Sequence, residues 1–513
     1  MNTPVAAPAG GWRIYFERRA LTLLALGFSA GLPIAMIFSG LSFWLVEAGI
    51  ERKTITMFSW AALGYAFKFV WSPLVDALPL PVLTRTLGTR RAWLLTAQLL
   101  VAAAMVLMAF TDPSLPGQIT VMAAGAVLLG FASATQDICI DAYRIEIAPD
   151  DSAMQTVMSS TYVMGYRLGM VASGMGVLFL AAKLGSAKGQ YLYQAWQYSY
   201  LAMALLMAVG IATTLLMREP PHSREHQPAA AGENLRLVLT FVLAVSAFVL
   251  AFRLAGAALP DINNAPLTAF ALETLRLAGA LAAALATGVL AVKAGLVSAA
   301  TAQRTWITPV TDFFKRYGAR AALLLALIGL YRISDIVAGV ISNVFYADLG
   351  FSKEDVALAV KTFGVVMMVV GGLAGGILAQ RFAIMKMMML GAVAASVTNL
   401  LFILLAQHGG NTHLLYWVVG FDNFAAGLAS TVFVAFLSAL TNIRFSAVQY
   451  ALFSSLMTLF PKVLGGYSGA MVDAMGYEGF FGFTAALTLP VLLLIWLADK
   501  KIFSPQHANH SNL

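Results

Sequence analysis

The sequence has few charged residues. Only 11% of its 513 residues are Asp, Glu, Lys or Arg, whereas 60% are hydrophobic. A water-soluble domain carries about a quarter charged residues, so this surface cannot face water on every side. No segment of soluble length and composition lies between the apolar stretches. The composition therefore predicts an all-α membrane protein.

Cysteine and histidine are also scarce. Cys139 is the only cysteine, so an intrachain disulfide is impossible. The six histidines lie outside the apolar stretches, at 222, 226, 408, 413, 507 and 510. This distribution predicts no metal site, no cofactor and no histidine proton relay within the membrane. The loops also lack the His/Asp clusters expected of a membrane enzyme acting on lipid-linked sugars, so we do not expect an enzyme.

Apolar stretches long enough to cross a hydrocarbon core of about 30 Å recur along the whole chain. We predict about fourteen spans, at 21–46, 55–75, 92–110, 119–142, 155–181, 198–217, 236–259, 270–300, 320–346, 356–379, 386–406, 414–440, 447–471 and 480–498.

The net charge of +8 reflects basic loops. No basic patch is interleaved with base-stacking aromatics, so nucleic-acid binding is not expected. Lys and Arg concentrate in cytoplasmic loops of membrane proteins. They cluster here at Arg85, Arg90 and Arg91, at Arg218 and Arg224, at Arg304, Lys315 and Arg316, at Arg381 and Lys386, and at Lys500 and Lys501. The loops around Pro113, Pro260 and His408 contain none. Both termini are therefore predicted to be cytoplasmic.

The chain repeats itself. FWLVEAGIERKTITMF closes the first span and NVFYADLGFSKEDVALA the ninth, and each contains an acid followed by Gly49 or Gly350. YRLGMVASG at 166–174 resembles KVLGGYSG at 462–469, and the offset is about 300 residues in both pairs. We expect two six-helix halves, 1–218 and 303–513, joined by an insert at 219–302 that adds two transmembrane helices.

Charged residues are nearly absent from every third helix of the two halves. The third, sixth, ninth and twelfth helices of the two halves have no charged residue except Lys386 at one boundary. An ionisable group in hydrocarbon needs a partner or a water-filled cavity. The charge-free helices should therefore face lipid, while the others line a central pathway. The charges in those other helices are Lys68, Asp137, Asp141, Arg167, Arg332, Asp335, Lys361, Asp422 and Lys462.

Asp137 and Asp141 are four residues apart and share a helical face, with Gln136 beside them. Two carboxylates on one dry face cannot comfortably both ionise, so one of them is expected to hold a proton, as proton coupling requires. The alternative is a structural salt bridge, for example from Asp141 to Arg144 or Arg167.

The intramembrane cations have a similar pair of interpretations. Lys68, Arg167 and Lys361 suit an anionic substrate, unless each pairs with an acid. Arg332 and Asp335 are three residues apart and either neutralise each other or serve transport.

Small-residue pairs predict close helix contacts. They occur at Gly27/Gly31, Gly165/Gly169, Gly371/Gly375, Gly372/Gly376 and Gly465/Gly469. We expect those on the fifth, eighth and eleventh helices to lie where the two halves rock against each other.

Several stretches resemble the muropeptide permease family, the AmpG-type transporters of the major facilitator superfamily. They are ALGFSAGLP (25–33), YAFKFVWSPLVD (65–76), ASATQDICIDAYR (132–144), MGYRLGM (164–170), PVTDFFKRYG (309–318), LYRISD (330–335), VKTFG (360–364) and SAVQYALFSSL (446–456). The similarity covers nearly all of both halves in order. The insert departs from a twelve-helix plan, and the superfamily's loop motif is degenerate, as Asp76 and Gly88 to Arg91.

The resemblance implies a major facilitator fold and proton-coupled import of anhydro-muropeptides across the bacterial inner membrane. Import would serve peptidoglycan recycling and, in some hosts, β-lactamase induction. The implied partners are the muropeptide, protons and the bilayer, and the protein is expected to be a monomer. Alternatives are a facilitator of another anion, as in the related acetyl-CoA transporters, or a muropeptide sensor that does not transport.

Muropeptides carry carboxylates and sugar hydroxyls, which suit cationic and aromatic side chains. The proton-coupling candidates are Asp137, Asp141, Asp422 and Asp335. The substrate-binding candidates are Tyr65, Lys68, Trp71, Gln136, Tyr166, Arg167, Arg332, Lys361, Asn423, Gln449 and Lys462.

Overall fold

The computed structural model describes residues 12–51, 54–55, 58, 61, 63–187, 189–221, 232–258, 266–465 and 467–503. This part of the chain is helical and has no β-strand, apart from one isolated bridge between Ala187 and Gln190. Arg224, Pro260, His222, His226, His507 and His510 lie outside the described residues.

The first half contains six helical regions. They are α1 (Arg18–Glu47), α2 (63–77, in the segments Leu63–Phe67, Lys68–Val70 and Ser72–Ala77), α3 (Thr89–Ala109), α4 (Gln118–Ile147), α5 (Ser152–Lys183) and α6 (Tyr193–Leu216).

The insert contributes α7 (Glu233–Ala258) and α8 (Pro266–Lys293), which are followed by α9 (299–317). The second half contains α10 (321–348), α11 (353–379), α12 (Ile384–Gln407), α13 (Thr412–Leu440), α14 (Ser446–Gly465) and α15 (468–498). Gly476 interrupts α15 with a φ of 69°.

Thirteen helical stretches of the described residues are long and apolar enough to cross a membrane. The span predicted at 55–75 is described only in part and consists of the short segments of α2. The other predicted spans correspond to described helices, so the chain is a multi-pass, all-α membrane protein.

The described chain divides into two compact units. One unit contains both halves, within the ranges 1–72, 80–223 and 317–513. The other contains the insert region, 224–316, together with Pro73–Pro79.

The sequence repeat has a structural counterpart at the ends of α1 and α10. Gly49 and Gly350 both adopt a left-handed conformation, with φ of 77° and 80°. The next amide reaches back five residues in each case, from Ile50 to the carbonyl of Leu45 at 3.0 Å and from Phe351 to that of Tyr346 at 3.2 Å. This is the glycine-dependent Schellman ending of a helix, so the two halves turn into their second helices in the same way.

Glycines bring helix backbones into direct contact within each half. A Cβ on Gly31 would lie 2.0 Å from the carbonyl oxygen of Tyr166, and one on Gly165 2.0 Å from that of Leu24, so α1 and α5 touch. In the second half, a Cβ on Gly371 or Gly427 would lie 2.0 Å from a carbonyl oxygen of the partner helix, which joins α11 to α13.

The expectation that the glycine pairs lie between the halves is therefore wrong for α5, whose glycines face α1. It is also wrong for Gly465 of α14, which faces Val340 of α10 in its own half. On α11, Gly376 does face the other half, because its Cβ would meet Tyr15 and Ser160.

The two halves meet at one end of the bundle. Ser160 at the start of α5 donates a hydrogen bond to the carbonyl of Gly372 at 2.9 Å, and the Tyr15 hydroxyl donates to that of Leu373 at 3.3 Å. Both carbonyls lie near the end of α11, beside the loop that contains Arg381.

The Gly31→Ala variant should be less stable than the wild type. The added methyl cannot fit against the Tyr166 carbonyl without separating α1 from α5, and overpacking of this kind typically costs about 1–3 kcal/mol. Thermal unfolding in detergent measures the loss. Gly339→Ala is the matched control, because a Cβ there would meet no atom within 4 Å. Equal melting temperatures for the two variants would contradict the packing argument.

Candidate functional site

Asp141 of α4 lies between two buried cations. Its Oδ2 is 3.3 Å from Lys68 Nζ of α2, and its Oδ1 is 3.2 Å from the guanidinium of Arg144, one turn further along α4. All three side chains are at least nine-tenths buried. The salt-bridge alternative for Asp141 therefore applies with Arg144 as partner, and Lys68 pairs with the same carboxylate.

Arg144 also reaches the second half. Its guanidinium stacks over the ring of Tyr450 of α14 at 4.9 Å and lies 5.7 Å from the ring of Tyr162 of α5. Its Nη1 donates to Ser159 at 3.4 Å. A cation in van der Waals contact with aromatic faces is stabilised by their quadrupoles, so this single arginine ties α4 to α5 and to α14.

Asp137 is buried but differently placed. The Tyr162 hydroxyl donates to its Oδ1 at a long 3.5 Å. Among the described residues no basic nitrogen lies within 4.0 Å of this carboxyl. The two acids that share a helical face are thus distinct, because Asp141 forms two ion pairs, whereas Asp137 interacts with Lys68 only beyond ion-pair distance.

A second polar cluster is built mainly from the second half. Arg332 and Asp335 form an ion pair one turn apart on α10, as the spacing allowed. Arg167 of α5 interacts electrostatically with both of them. Asp422 of α13 interacts with the same pair and accepts a hydrogen bond from Thr398 of α12 at 3.1 Å. Residues from both halves therefore converge on one site, which we call the Asp335 cluster.

The end at which the halves meet contains a buried charged pair that sequence reasoning missed. Arg90, at the start of α3, donates to Glu146 of α4 through Nε and through Nη2 at 2.6 Å. Ser446, the first residue of α14, donates to Glu146 and accepts from Arg90 at 3.1 Å. The sequence signal was the Gly88–Arg91 motif, which identified Arg90 only as a loop charge.

Glu219, in the loop after α6, fixes the position of Arg90. Its carboxylate accepts hydrogen bonds from the backbone N–H groups of Arg90 at 2.8 Å and Arg91 at 3.1 Å, which begin α3. Burial raises the pKa of Glu219, and the two backbone hydrogen bonds act against that rise. An acid at the N-terminus of a helix also satisfies its free N–H groups.

Three predicted binding residues pack against helices of the first half. Gln136 is fully buried and donates to Ser29 of α1 at 3.1 Å. Trp71 donates to Thr135 at 3.1 Å with its ring against Phe131, and the Tyr65 hydroxyl lies 2.5 Å from that of Ser133. These contacts hold α1 and α2 on α4 in this conformation.

The remaining predicted residues are spread over both halves. Tyr166 is half-buried, and its ring centroid lies 6.1 Å from that of Tyr162. The Asn423 side chain donates to the carbonyl of Val419 at 2.9 Å. The buried Gln449 side chain accepts from the backbone N–H of Asn442 at 2.8 Å. Lys361 and Lys462 are exposed and have no acid within 4.0 Å among the described residues.

In the described part of the chain, no group of three or more His, Cys, Asp or Glu side chains could hold a metal ion. Asp141 with Lys68 and Arg144 makes one acid and two bases, and the Asp335 cluster contains two acids and two bases. Such an arrangement can bind ionic groups.

The Asp141→Asn variant should be strongly destabilised, because it leaves Lys68 and Arg144 as buried charges without an anion. Removing one partner of a buried ion pair costs about 3–5 kcal/mol. We expect a low yield and a lowered melting temperature in detergent. Asp137→Asn, which changes one long hydrogen bond, is the matched control. It should keep the yield and the melting temperature of the wild type. An Asp141→Asn protein as stable as the control would show that this ion pair does not hold the fold.

Comparisons with known proteins agree with this architecture. A family model described as acetyl-coenzyme A transporter 1 matches residues 20–221. The solved structure of the proton:xylose symporter XylE, a major facilitator protein, superposes with a TM-score of 0.57 at 13% identity and covers 93% of this chain and 94% of its own. The chain therefore has the major facilitator fold.

Curated relatives identify the family. A transporter named AmpG 4 from Rickettsia felis is 30% identical over 490 residues, which cover 96% of this chain and 99% of the relative. The anhydromuropeptide permease of Escherichia coli K12 is 31% identical over 491 residues, which cover 96% of this chain and 82% of the permease. With identity at this level over almost its entire length, the chain belongs to the AmpG family of membrane transporters, and it is not an enzyme.

Proposed function

We propose that this protein imports anhydro-muropeptides across the bacterial inner membrane, driven by protons, for peptidoglycan recycling. The observation that carries the proposal is the full-length similarity to the Escherichia coli anhydromuropeptide permease. In hosts with an inducible β-lactamase, the imported ligand would also contribute to β-lactamase induction.

The charges of the site support an anionic ligand of this kind. Arg167 is half-buried beside the Asp335 cluster, while Lys361 and Lys462 are exposed and lack an ion-pair partner among the described residues. Each can receive a peptide or muramyl carboxylate. Lys68 is the weaker candidate, because it already forms an ion pair with Asp141.

Acetyl-CoA is the second candidate substrate, favoured by the family model that matches residues 20–221. It is also anionic, so the cationic residues do not distinguish the two ligands. The muropeptide is preferred because its permease relatives align with both halves, whereas the acetyl-CoA family model stops at the end of the first half.

Vesicles that contain the purified protein should accumulate labelled anhydro-muropeptide when the outside is more acidic, and should only equilibrate it without a gradient. Unlabelled muropeptide should compete and acetyl-CoA should not. In Arg167→Gln, loss of a charged hydrogen bond of about 1.5–3 kcal/mol should weaken uptake about ten- to hundredfold at equal yield. Competition by acetyl-CoA alone would select the second candidate, and binding without uptake would select a sensor.

We further propose that both termini are cytoplasmic, as the distribution of Lys and Arg favours. The end at which the halves meet contains Arg90 and lies beside the loop with Arg381. In this orientation the structure is closed towards the cytoplasm, so it corresponds to the periplasm-facing state of an alternating-access cycle.

Cysteine labelling tests the orientation in a Cys139→Ala background, which is free of cysteine. In intact cells, an impermeant maleimide should label Leu115→Cys and His408→Cys but should not label Thr86→Cys or Arg381→Cys until the cells are broken. All four positions are exposed in the structure, so their accessibility reports the side of the membrane. Labelling of positions 86 and 381 from outside would reverse the topology.

Asp137 is the proposed proton-coupling residue. A coupling carboxyl must be able to lose and regain its proton during the cycle, and an acid held in two ion pairs, as Asp141 is, stays charged. Asp137 is buried beside the hydroxyl of Tyr162 and has no ion-pair partner within 4.0 Å among the described residues. Asp422 follows as second candidate, because it shares the Asp335 cluster and accepts from Thr398.

The Asp137→Asn variant should bind and exchange muropeptide but should not concentrate it. Asparagine keeps the size of the side chain and its hydrogen bonding but cannot release a proton. Counterflow of labelled ligand should therefore persist. In uptake driven by a proton gradient, the ligand concentration inside the vesicles should rise only to the concentration outside. Asp473→Asn, at an exposed acid, is the matched control. Loss of exchange as well would assign Asp137 to structure or ligand, and normal accumulation would move the role to Asp422.

A further inference from the structure

A short helical turn precedes the first span. Residues Trp12–Phe16 form a 3₁₀ helix directly before α1, and we call this segment the N-terminal turn. Ile14 and Tyr15 are buried, whereas Arg13 and Phe16 are exposed. The turn packs against α1 and α5. It is therefore part of the first half, although it lies outside the membrane-spanning helices.

The side chain of Tyr15 extends from this turn to the second half. Its hydroxyl donates a hydrogen bond to the carbonyl of Leu373 in α11 at 3.3 Å, and Ser160 of α5 is its polar neighbour in the first half. Ser160 donates to the carbonyl of Gly372, one residue earlier in α11, at 2.9 Å. Two hydroxyl groups of the first half thus hold consecutive carbonyls of one helix of the second half.

The space that receives Tyr15 exists because residue 376 is glycine. A Cβ on Gly376 would lie 2.2 Å from the Tyr15 hydroxyl oxygen and 2.9 Å from the Cβ of Ser160. Real Cβ atoms do not approach other heavy atoms this closely, so any larger residue at 376 would displace the tyrosine from α11. We call the space between Gly376, Leu373 and Ser160 the Tyr15 seat.

A contact of this kind opposes the separation of the halves. Tyr15 is attached to α1 through the N-terminal turn, but its seat is on α11, so the side chain must leave the seat when this end of the bundle opens. The hydroxyl then exchanges a protein carbonyl for water. One neutral hydrogen bond shifts a two-state equilibrium by about two- to tenfold, which is enough to change how often the end opens without locking it.

We propose that the N-terminal turn is a latch on the end at which the halves meet. Tyr15 in its seat favours the closed state, and its withdrawal favours the open state. The latch rests on the proposed transport function only in that the cycle requires this end to open. Tyr15 is not among the proposed ligand-binding residues, so weakening the latch should change the conformational equilibrium and leave the ligand contacts intact.

Spin labels on the two halves measure this equilibrium without a ligand. Thr86 of the first half and Arg381 of the second are exposed near this end. Thr86→Cys and Arg381→Cys are labelled in the Cys139→Ala background, and double electron–electron resonance gives the populations of short, closed and long, open distances. All variants also carry Ser446→Ala, which removes another hydroxyl link between the halves and brings the open state into the measurable range.

Tyr15→Phe removes only the hydroxyl and should lower the ratio of short to long distances about two- to tenfold. Tyr198→Phe is the matched control, because it removes the hydroxyl of an exposed tyrosine of α6, and it should leave the ratio unchanged. A ratio in Tyr15→Phe equal to that of the control would overturn the proposal.

A double-mutant cycle tests the seat itself. Gly376→Ala should lower the same ratio, because its methyl group meets the Tyr15 hydroxyl and Ser160. In the Tyr15→Phe background the clash with the hydroxyl is absent, so Gly376→Ala should lower the ratio by a smaller factor. Gly339→Ala, where a Cβ would meet no atom within 4 Å, should have no effect in either background. Equal factors for Gly376→Ala in both backgrounds would show that Tyr15 does not occupy the seat.

These measurements and the uptake experiment fail independently. An unchanged distance ratio would overturn the latch and leave the proposed import of muropeptides as it stands. Absence of muropeptide uptake would overturn the proposed function, whereas a ratio lowered in Tyr15→Phe would still support the latch.

Discussion

The neutralisation of buried charge at Asp141 is the interaction on which the central part of the structure depends. A carboxylate between Lys68 and Arg144 allows two cations and an anion to remain where water is scarce. Because Lys68 comes from α2 and Arg144 continues to Tyr450 of α14, this acid organises helices of both halves. Its neighbour Asp137 has no ion pair within 4.0 Å among the described residues, so two acids on one helical face have different surroundings.

The glycine contacts provide the second constraint. Where Gly31 and Gly165 allow the backbones of α1 and α5 to touch, the position of α5 is fixed to within the tolerance of a methyl group. Tyr162, Tyr166 and Arg167 all lie on this stretch of α5. Their distances to Asp137 and to the Asp335 cluster therefore depend on the glycines that let the two helices approach.

The sequence was sufficient for the architecture because the bilayer leaves few alternatives. Apolar length, the Gly49 and Gly350 repeat and basic loops predicted a helical membrane protein built from two related halves, and the AmpG resemblance is confirmed by full-length relatives. Partners were harder to predict. Spacing alone could not choose between Arg144 and Arg167 for Asp141, since the first is a neighbour on one helix and the second depends on how α5 is rotated.

Contacts between the halves were hardest to predict. Glu146 accepts a hydrogen bond from Ser446, which is 300 residues away in the sequence. Neither residue is among the intramembrane charges or the helically spaced pairs that the sequence analysis identified. Gln136 lies beside two acids, which predicts a place in the pathway, and in this conformation its side chain donates a hydrogen bond to Ser29 of α1. A helix position predicts which residues share a face, but the identity of the helix opposite that face is a property of tertiary packing.

The difference between contacts within and between the halves gives the fold its mechanical character. Within each half, backbones touch through glycine over several turns, and separating them would give up this close packing. Between the halves, the closed end relies on discrete links such as Ser160 to Gly372 and Ser446 to Glu146. A hydroxyl can exchange such a bond for one to water at a net cost of about 1 kcal/mol. This contrast is what a rigid-body cycle of alternating access would need, because each half could keep its shape while the links between the halves open.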